Sequence, residues 1–214
     1  MSNLVFLEPN CIKAIPITTS KVIAEFTGIA HRKIKAEIFK NKTALETFGL
    51  LASYGAESTG GRPEEIVVLN EQQATLLITF LKNTPVVVEF KTELVHQFYE
   101  MRAELQKRQI AREQLKPTRR ALTDEIRDNP KHNKWDYKLY TDLAYKIITG
   151  KIAAQLRKER GASKTAIAID FMTSDEIVNV EKLTYKIAVL YEMGLDYYQI
   201  KSMLLNRKTI AETA

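Results

Sequence analysis

A single cysteine, Cys11, is all the thiol chemistry this chain has, so no internal disulfide can form. A lone thiol suits a reducing cytoplasm. Long apolar runs are also missing: none approaches the roughly 20 residues needed to span a bilayer, and no membrane association is expected. The N-terminal stretch Met1-Ser2-Asn3-Leu4-Val5-Phe6-Leu7-Glu8 lacks the basic start, apolar core and small-residue cleavage site of a secretory signal. Aspartate is absent before Asp124, which leaves glutamate as the only carboxylate in the first half. Histidine is scarce, and His31, His96 and His132 fall in three different elements with no second metal-type ligand at helical spacing. No metal is therefore expected. Gly60-Gly61 lacks the following lysine and hydroxyl of a phosphate loop. Cys11 precedes the first expected element with no base at a defined distance, and reads as a small buried hydrophobe. Glu89, Glu93, Glu100 and Glu104 read as solvated charge along one helix rather than as paired acid and base. Neither a catalytic residue nor a cofactor is expected, so the chain reads as a non-enzyme.

What is present is an ordinary globular composition, 45% hydrophobic and 27% charged over 214 residues, enough for two small cores. The net charge of +6 is unevenly spread. Residues 1–110 carry 13 basic and 12 acidic side chains, residues 111–160 carry 13 and 7, and residues 161–214 carry 6 and 7. A concentrated cationic surplus attracts polyanions, which makes nucleic acid the leading partner class, with a plain solvated basic surface as the alternative.

Thr18 to Ile38 reads as two short helices around Gly28. Thr19 or Ser20 can cap the first, whose apolar stripe is Val22, Ile23 and Phe26, and Gly28 can adopt the left-handed conformation that ends it. On the second helix Ile34 and Ile38 lie four apart and face inward, leaving His31, Arg32, Lys33 and Lys35 on other faces. This is the layout of a helix-turn-helix, whose second helix enters the major groove. Leu50 to Glu57, the glycine turn with Arg62 at its tip, and Glu64 to Leu69 then read as a hairpin. After a helix-turn-helix such a hairpin is a wing that touches phosphate, or else a plain surface hairpin.

Asn70 caps a further helix through Phe80. Val87, Phe90, Leu94, Phe98, Met101 and Leu105 then recur at helical spacing, predicting a long amphipathic helix that ends near Lys116-Pro117. Its stripe packs as core, or its later turns pair with a second copy of the chain. Residues 117–134 are polar, carry Arg119 and Arg120, and read as a linker with a short helix over Ala121–Arg127. Beyond them, helices are expected over Trp135–Ile148, Lys151–Arg160, Ser174–Met193 and Tyr197–Leu205, with Gly150, Gly161 and Gly194 as turns. Lys146, Lys151, Arg157, Lys158 and Arg160 are expected to be exposed cations of that half.

The fold class expected is thus α+β. A winged helix-turn-helix-like domain with its long helix occupies residues 1–116, a linker 117–134, and an all-helical basic domain 135–214. Several short pieces in order sharpen this. Thr19-Ser20 with Val22-Ile23-Ala24, Gly28, His31-x-x-Ile34-x-x-x-Ile38, Ser53-Tyr54, Gly61-Arg62-x-x-Glu65, Leu69-x-x-x-Gln73, and Phe90-Lys91 leading to Gln97-Phe98-Tyr99-Glu100-Met101 resemble the phage regulatory protein Rha family over about Ile17 to Leu105. The family is similar to phage antirepressor N-terminal domains, and the resemblance implies regulation of lysogeny or phage development through DNA binding. Arg32 and Lys33 stand where acidic or amide residues are expected, and Ala36 where a basic one is common, so no DNA sequence preference carries over. Trp135 to Thr141 with Gly150-Lys151 is similar to helical extensions of antirepressor-type proteins.

Two functions follow as expectations. In one the chain binds duplex DNA through His31, Arg32, Lys33, Lys35 and Arg62, with Arg119, Arg120, Lys151, Arg157 and Lys158 adding electrostatic affinity. In the other it captures a phage repressor protein without touching DNA. A homodimer or higher oligomer suits paired half-sites.

Overall fold

The computed structural model describes residues 3–56 and 63–212, with side chains through Leu205. It divides into two compact units, Met1–Ala103 and Glu104–Ala214.

The first unit joins a four-stranded antiparallel sheet to a set of helices. Its elements run β1 (Phe6–Leu7), β2 (Pro16–Thr19), α1 (Ser20–Thr27), α2 (His31–Lys40), α3 (Lys42–Glu46), β3 (Ala52–Gly55), β4 (Glu65–Asn70), α4 (Glu71–Phe80) and the opening turns of α5 (Pro85–Asp128). The strand order is β1-β2-β4-β3, with Thr18 opposite Leu69 and Ser53 opposite Val67. The strand preceding the helix pair therefore lies next to the second strand of the hairpin. The β-branched run Ile17-Thr18-Thr19 accounts for β2, a strand that the helical reading of Thr18 onward passed over.

Local chemistry sets the helix ends. Thr19 accepts the Val22 amide at 3.2 Å and starts α1; Gly28, at φ +69°, ends it. Asn70 Oδ1 accepts the Gln73 amide at 2.9 Å while Gln73 Oε1 accepts the Asn70 amide at 3.1 Å, a capping box that opens α4. Gln73 is buried and donates from Nε2 to the Gly49 carbonyl at 2.6 Å, holding the segment between α3 and β3. Ile34 and Ile38 are fully buried as expected, in one cluster with Ile23, Leu45, Leu69, Leu77, Phe90, Leu94 and Phe98.

The second unit contains the rest of α5, then α6 (Asp136–Thr149), α7 (Ala153–Glu159), a 3-10 turn (Ala168–Phe171), α8 (Ser174–Glu192) and α9 (Tyr197–Glu212). Gly150, at φ +76°, closes α6. Thr173 and Glu176 form the capping box of α8, and Asp175 and Glu176 give it an acidic first turn. Glu104 joins that helix start to α5 by accepting from the Ser174 amide at 3.0 Å and the Ser174 hydroxyl at 2.8 Å. Two apolar clusters fill the unit. One is built around Leu122, Ile126, Tyr140 and Ile187, the other around Leu115, Leu156, Ile169 and Ile177.

Three expectations need correction. The long helix does not end at Lys116-Pro117, and 117–128 is not linker, because α5 continues to Asp128. An interior proline costs a helix about 3 kcal/mol. Leu115, Leu122 and Ile126 are buried on either side of it, and burying side chains of this size returns about 1.5–3 kcal/mol each. Packing wins. The units accordingly divide at 103/104 rather than within 117–134. Cys11 follows β1 and is half-buried, not a core residue.

Candidate nucleic-acid interface

The face of interest is built on α2. Ile34 and Ile38 anchor its inner side, which leaves the opposite face to solvent. Arg32, Lys33, Ala36 and Lys40 are exposed. Among the described residues Arg32 and Lys33 have no carboxylate within salt-bridge distance, whereas Lys40 lies 3.8 Å from Glu37. Glu37, the acid of this helix, also accepts from Asn41 Nδ2 at 2.9 Å. Arg32 and Lys33 lie one turn before the small side chain of Ala36, leaving room for close approach to a polyanion.

His31 and Lys35 are placed differently. They face the start of β4 and are held by Glu64, just ahead of that strand, and Glu65, its first residue. Lys35 Nζ is 3.0 Å from Glu65 Oε2, and Ser53 of β3 donates to the same carboxylate at 3.1 Å. His31 Nδ1 lies 2.6 Å from Glu64 Oε1, and its Nε2 lies 2.8 Å from Ser20 Oγ. The Glu64 carboxylate can only accept, so Nδ1–H donates to it; in the neutral ring Nε2 then accepts the hydroxyl proton of Ser20, whose oxygen also accepts the Val67 amide at 3.0 Å. Hydrogen bonding from His31, reinforced by its charge when protonated, holds the Glu64 carboxyl below its usual value. One chain of hydrogen bonds thus ties the start of α1, the start of α2 and the hairpin.

Serine, histidine and glutamate are linked here in the order of a hydrolase triad. Ser20, however, is 0% exposed and its oxygen is occupied by the Val67 amide, so no substrate carbonyl can reach it. The linkage works as a clamp on α2. Sequence reading treated Ser20 as a cap candidate and did not connect it with Glu64. The available signal was Glu64-Glu65 directly after the glycine turn, opposite in charge to the helix start.

Of the other expected site residues, Arg62 lies outside the described residues. Arg120 and Lys158 are exposed, and no ion pair involves either among the described residues. Lys151 is paired with Glu159 at 2.6 Å, and Arg157 is half-buried. Arg119 turns inward: Nη2 donates to Thr141 Oγ1 at 3.2 Å, and its guanidinium lies 5.9 Å from the centre of the Tyr145 ring. Arg119 is therefore not part of an open basic surface. Lys151 is a neutralised one.

Among the described residues no cluster of three or more histidine, cysteine or acidic side chains is placed to hold a metal ion, and no helix is long and apolar enough to cross a membrane.

The chain is thus a mixed helix-and-sheet unit followed by a helical one, and the first has a counterpart among known families. Residues 18–103 match the family model of the phage regulatory protein Rha, a family of phage regulators. The match spans β2 through the opening turns of α5. No curated protein matches the chain.

Proposed function

We propose that this protein is a phage regulator that binds double-stranded DNA, with α2 in the major groove and the β3–β4 hairpin as the wing, and that it acts in the bacterial cytoplasm without catalysing a reaction. The observation that carries this reading is the face of α2. Arg32 and Lys33 are exposed and have no ion-pair partner among the described residues, while the same helix is fixed beneath by Ile34 and Ile38 and at its start by His31. A rigid helix presenting free cations suits groove binding, because little order has to be imposed when DNA arrives. The Rha match over the same residues supports a regulatory role. The exposed Val88, Val95 and Tyr99 of α5 would serve pairing of two copies, as two half-sites require.

The second reading, capture of a repressor protein, is favoured by a different observation. Phe39, Phe48, Leu50 and Tyr54 are exposed in this unit, Leu50 to 86%. Apolar exposure of that kind suits a protein partner better than phosphate.

Gel-shift titration against duplex from the neighbouring phage control region, with and without the phage repressor, separates the two. DNA binding predicts a salt-sensitive shift by the chain alone. Repressor capture predicts no shift by the chain alone and release of repressor from its operator.

A further inference from the structure

Three arginines of the later part of α5, Arg108, Arg112 and Arg119, lie at positions i, i+4 and i+11, one face of a helix. Arg108 donates to Glu104 at 2.9 Å, and Arg112 donates to Asp170 at 2.9 Å. Arg119 has no carboxylate within salt-bridge distance among the described residues. Its partners are the Thr141 hydroxyl and the Tyr145 ring. The nearby acid of α8, Glu181, instead accepts from the Thr118 hydroxyl at 2.8 Å.

Arg119 lines a cavity of about 300 Å³ inside the second unit, the lower end of ligand-sized pockets. Leu122, Ile126, Ala144 and Val180 form its apolar lining, and Tyr137 and Tyr140 complete an aromatic side. The balance of donors and acceptors is lopsided. Thr123, Thr141 and Thr184 each spend their hydroxyl proton on a helix carbonyl at 2.6–2.8 Å. The Tyr137 and Tyr140 hydroxyls have no hydrogen-bond partner among the described residues. The threonine oxygens are left as acceptors, and the donors that remain are the Tyr137 and Tyr140 hydroxyls and the Arg119 guanidinium, a cation with no carboxylate partner among the described residues, over an apolar floor.

We propose that this cavity is a binding site for a small organic monoanion, a carboxylate with an apolar or aromatic body, whose charged end sits on Arg119 and whose body lies on Leu122, Ile126 and Ala144. A half-buried arginine without a counter-ion is satisfied by a carboxylate, whose two oxygens match the guanidinium fork. The apolar floor excludes a strongly hydrated dianion such as free phosphate. This site is independent of the DNA reading, since it lies wholly in the second unit.

The test uses the full chain with octanoate and phenylbutyrate, and with octanol and phenylbutanol as neutral counterparts of the same shape. Calorimetric titration is expected to show each acid binding at least about tenfold more tightly than its alcohol, the range of one charged hydrogen bond. Arg119→Met keeps the side-chain bulk and is expected to erase that difference while leaving the alcohols unchanged; Arg119→Lys is expected to keep part of it. Ring resonances of Tyr137 and Tyr140 are expected to shift with the acid. Circular dichroism checks that each variant is folded, and ring shifts of the unsubstituted chain decide the matter if Arg119→Met is not. The proposal is overturned if no acid binds below about 1 mM, if acid and alcohol bind alike, or if the shifted resonances lie away from this cavity.

Discussion

His31 Nδ1 and Glu64 Oε1 lie 2.6 Å apart, so a histidine at the first position of α2 is bonded to a glutamate just ahead of β4. Through its other nitrogen the same ring reaches Ser20. The helix proposed to enter DNA is thereby fixed to the hairpin proposed as its wing. Ser20→Ala removes the acceptor for the Val67 amide, which is buried, and an orphaned buried donor costs about 1–3 kcal/mol. Urea unfolding is expected to show a lower midpoint with an unchanged slope. A midpoint equal to that of the parent would mean that the clamp contributes nothing.

Glu64 supplies a pH test. Its folded-state carboxyl titrates below the unfolded value, first through the hydrogen bond from His31, so its contribution is present above the unfolded value and is lost as pH falls through the folded one. Glu104 and Glu176 act in the same direction. Burial raises each of them, but for Glu104 the bonds from Arg108 and Ser174, and for Glu176 those from Arg160 and Thr173, outweigh it. Stability is therefore expected to hold near neutrality and to fall as pH drops through and below the ordinary glutamate range. Carbon-13 titration of Glu64 should move back toward 4.5, the ordinary value, in His31→Ala. An unmoved titration would show that the hydrogen bond is not its cause.

Arg160 and Glu176 form a bidentate pair, and Arg160 also donates to the Phe171 carbonyl. Both side chains are about a quarter exposed, which screens the pair in part. Glu176→Gln is expected to cost about 1–2 kcal/mol, less than the loss of a fully buried ion-pair partner. Thermal unfolding at neutral pH measures it, and a matching loss in Arg160→Met would show that the two act together.

Pro117 offers a change in the opposite direction. It is exposed and sits inside a continuous helix, where it removes one backbone hydrogen bond. Pro117→Ala is expected to stabilise the chain by about 1–3 kcal/mol, seen as a higher unfolding midpoint. Destabilisation would mean that the second unit depends on a bend at this position.

Much of the first unit was legible because its signals are local. Gly28, the Asn70 cap and the inward spacing of Ile34 and Ile38 act within one or two turns of their own helix, and all three stand as read. The Val87-to-Leu105 stripe was equally plain, since Phe90, Leu94 and Phe98 repeat at helical spacing. What escaped depended on distance in the sequence. β2 needs β4 as its partner about 50 residues away, and the Ser20–His31–Glu64 linkage joins three segments whose pairing no periodicity encodes. Pro117 misled for a related reason: its local cost is visible in sequence, while the burial of Leu115, Leu122 and Ile126 that offsets it is visible only in the fold. Arg119 read as a surface cation because sequence cannot show which way a long side chain turns, and Lys151 as a free one because its pairing with Glu159 is set by the fold.

The central claim is that Arg32 and Lys33 of α2 meet the DNA backbone or base edges. The most direct measurement is duplex binding by fluorescence anisotropy across a salt series, comparing the parent chain with Arg32→Ala/Lys33→Ala. Each lost phosphate contact lowers the slope of log affinity against log salt by about 0.9. The account predicts weaker binding and a slope shallower by about 2. Duplex binding with unchanged affinity and slope, or no duplex binding by the parent chain at moderate salt, would contradict it.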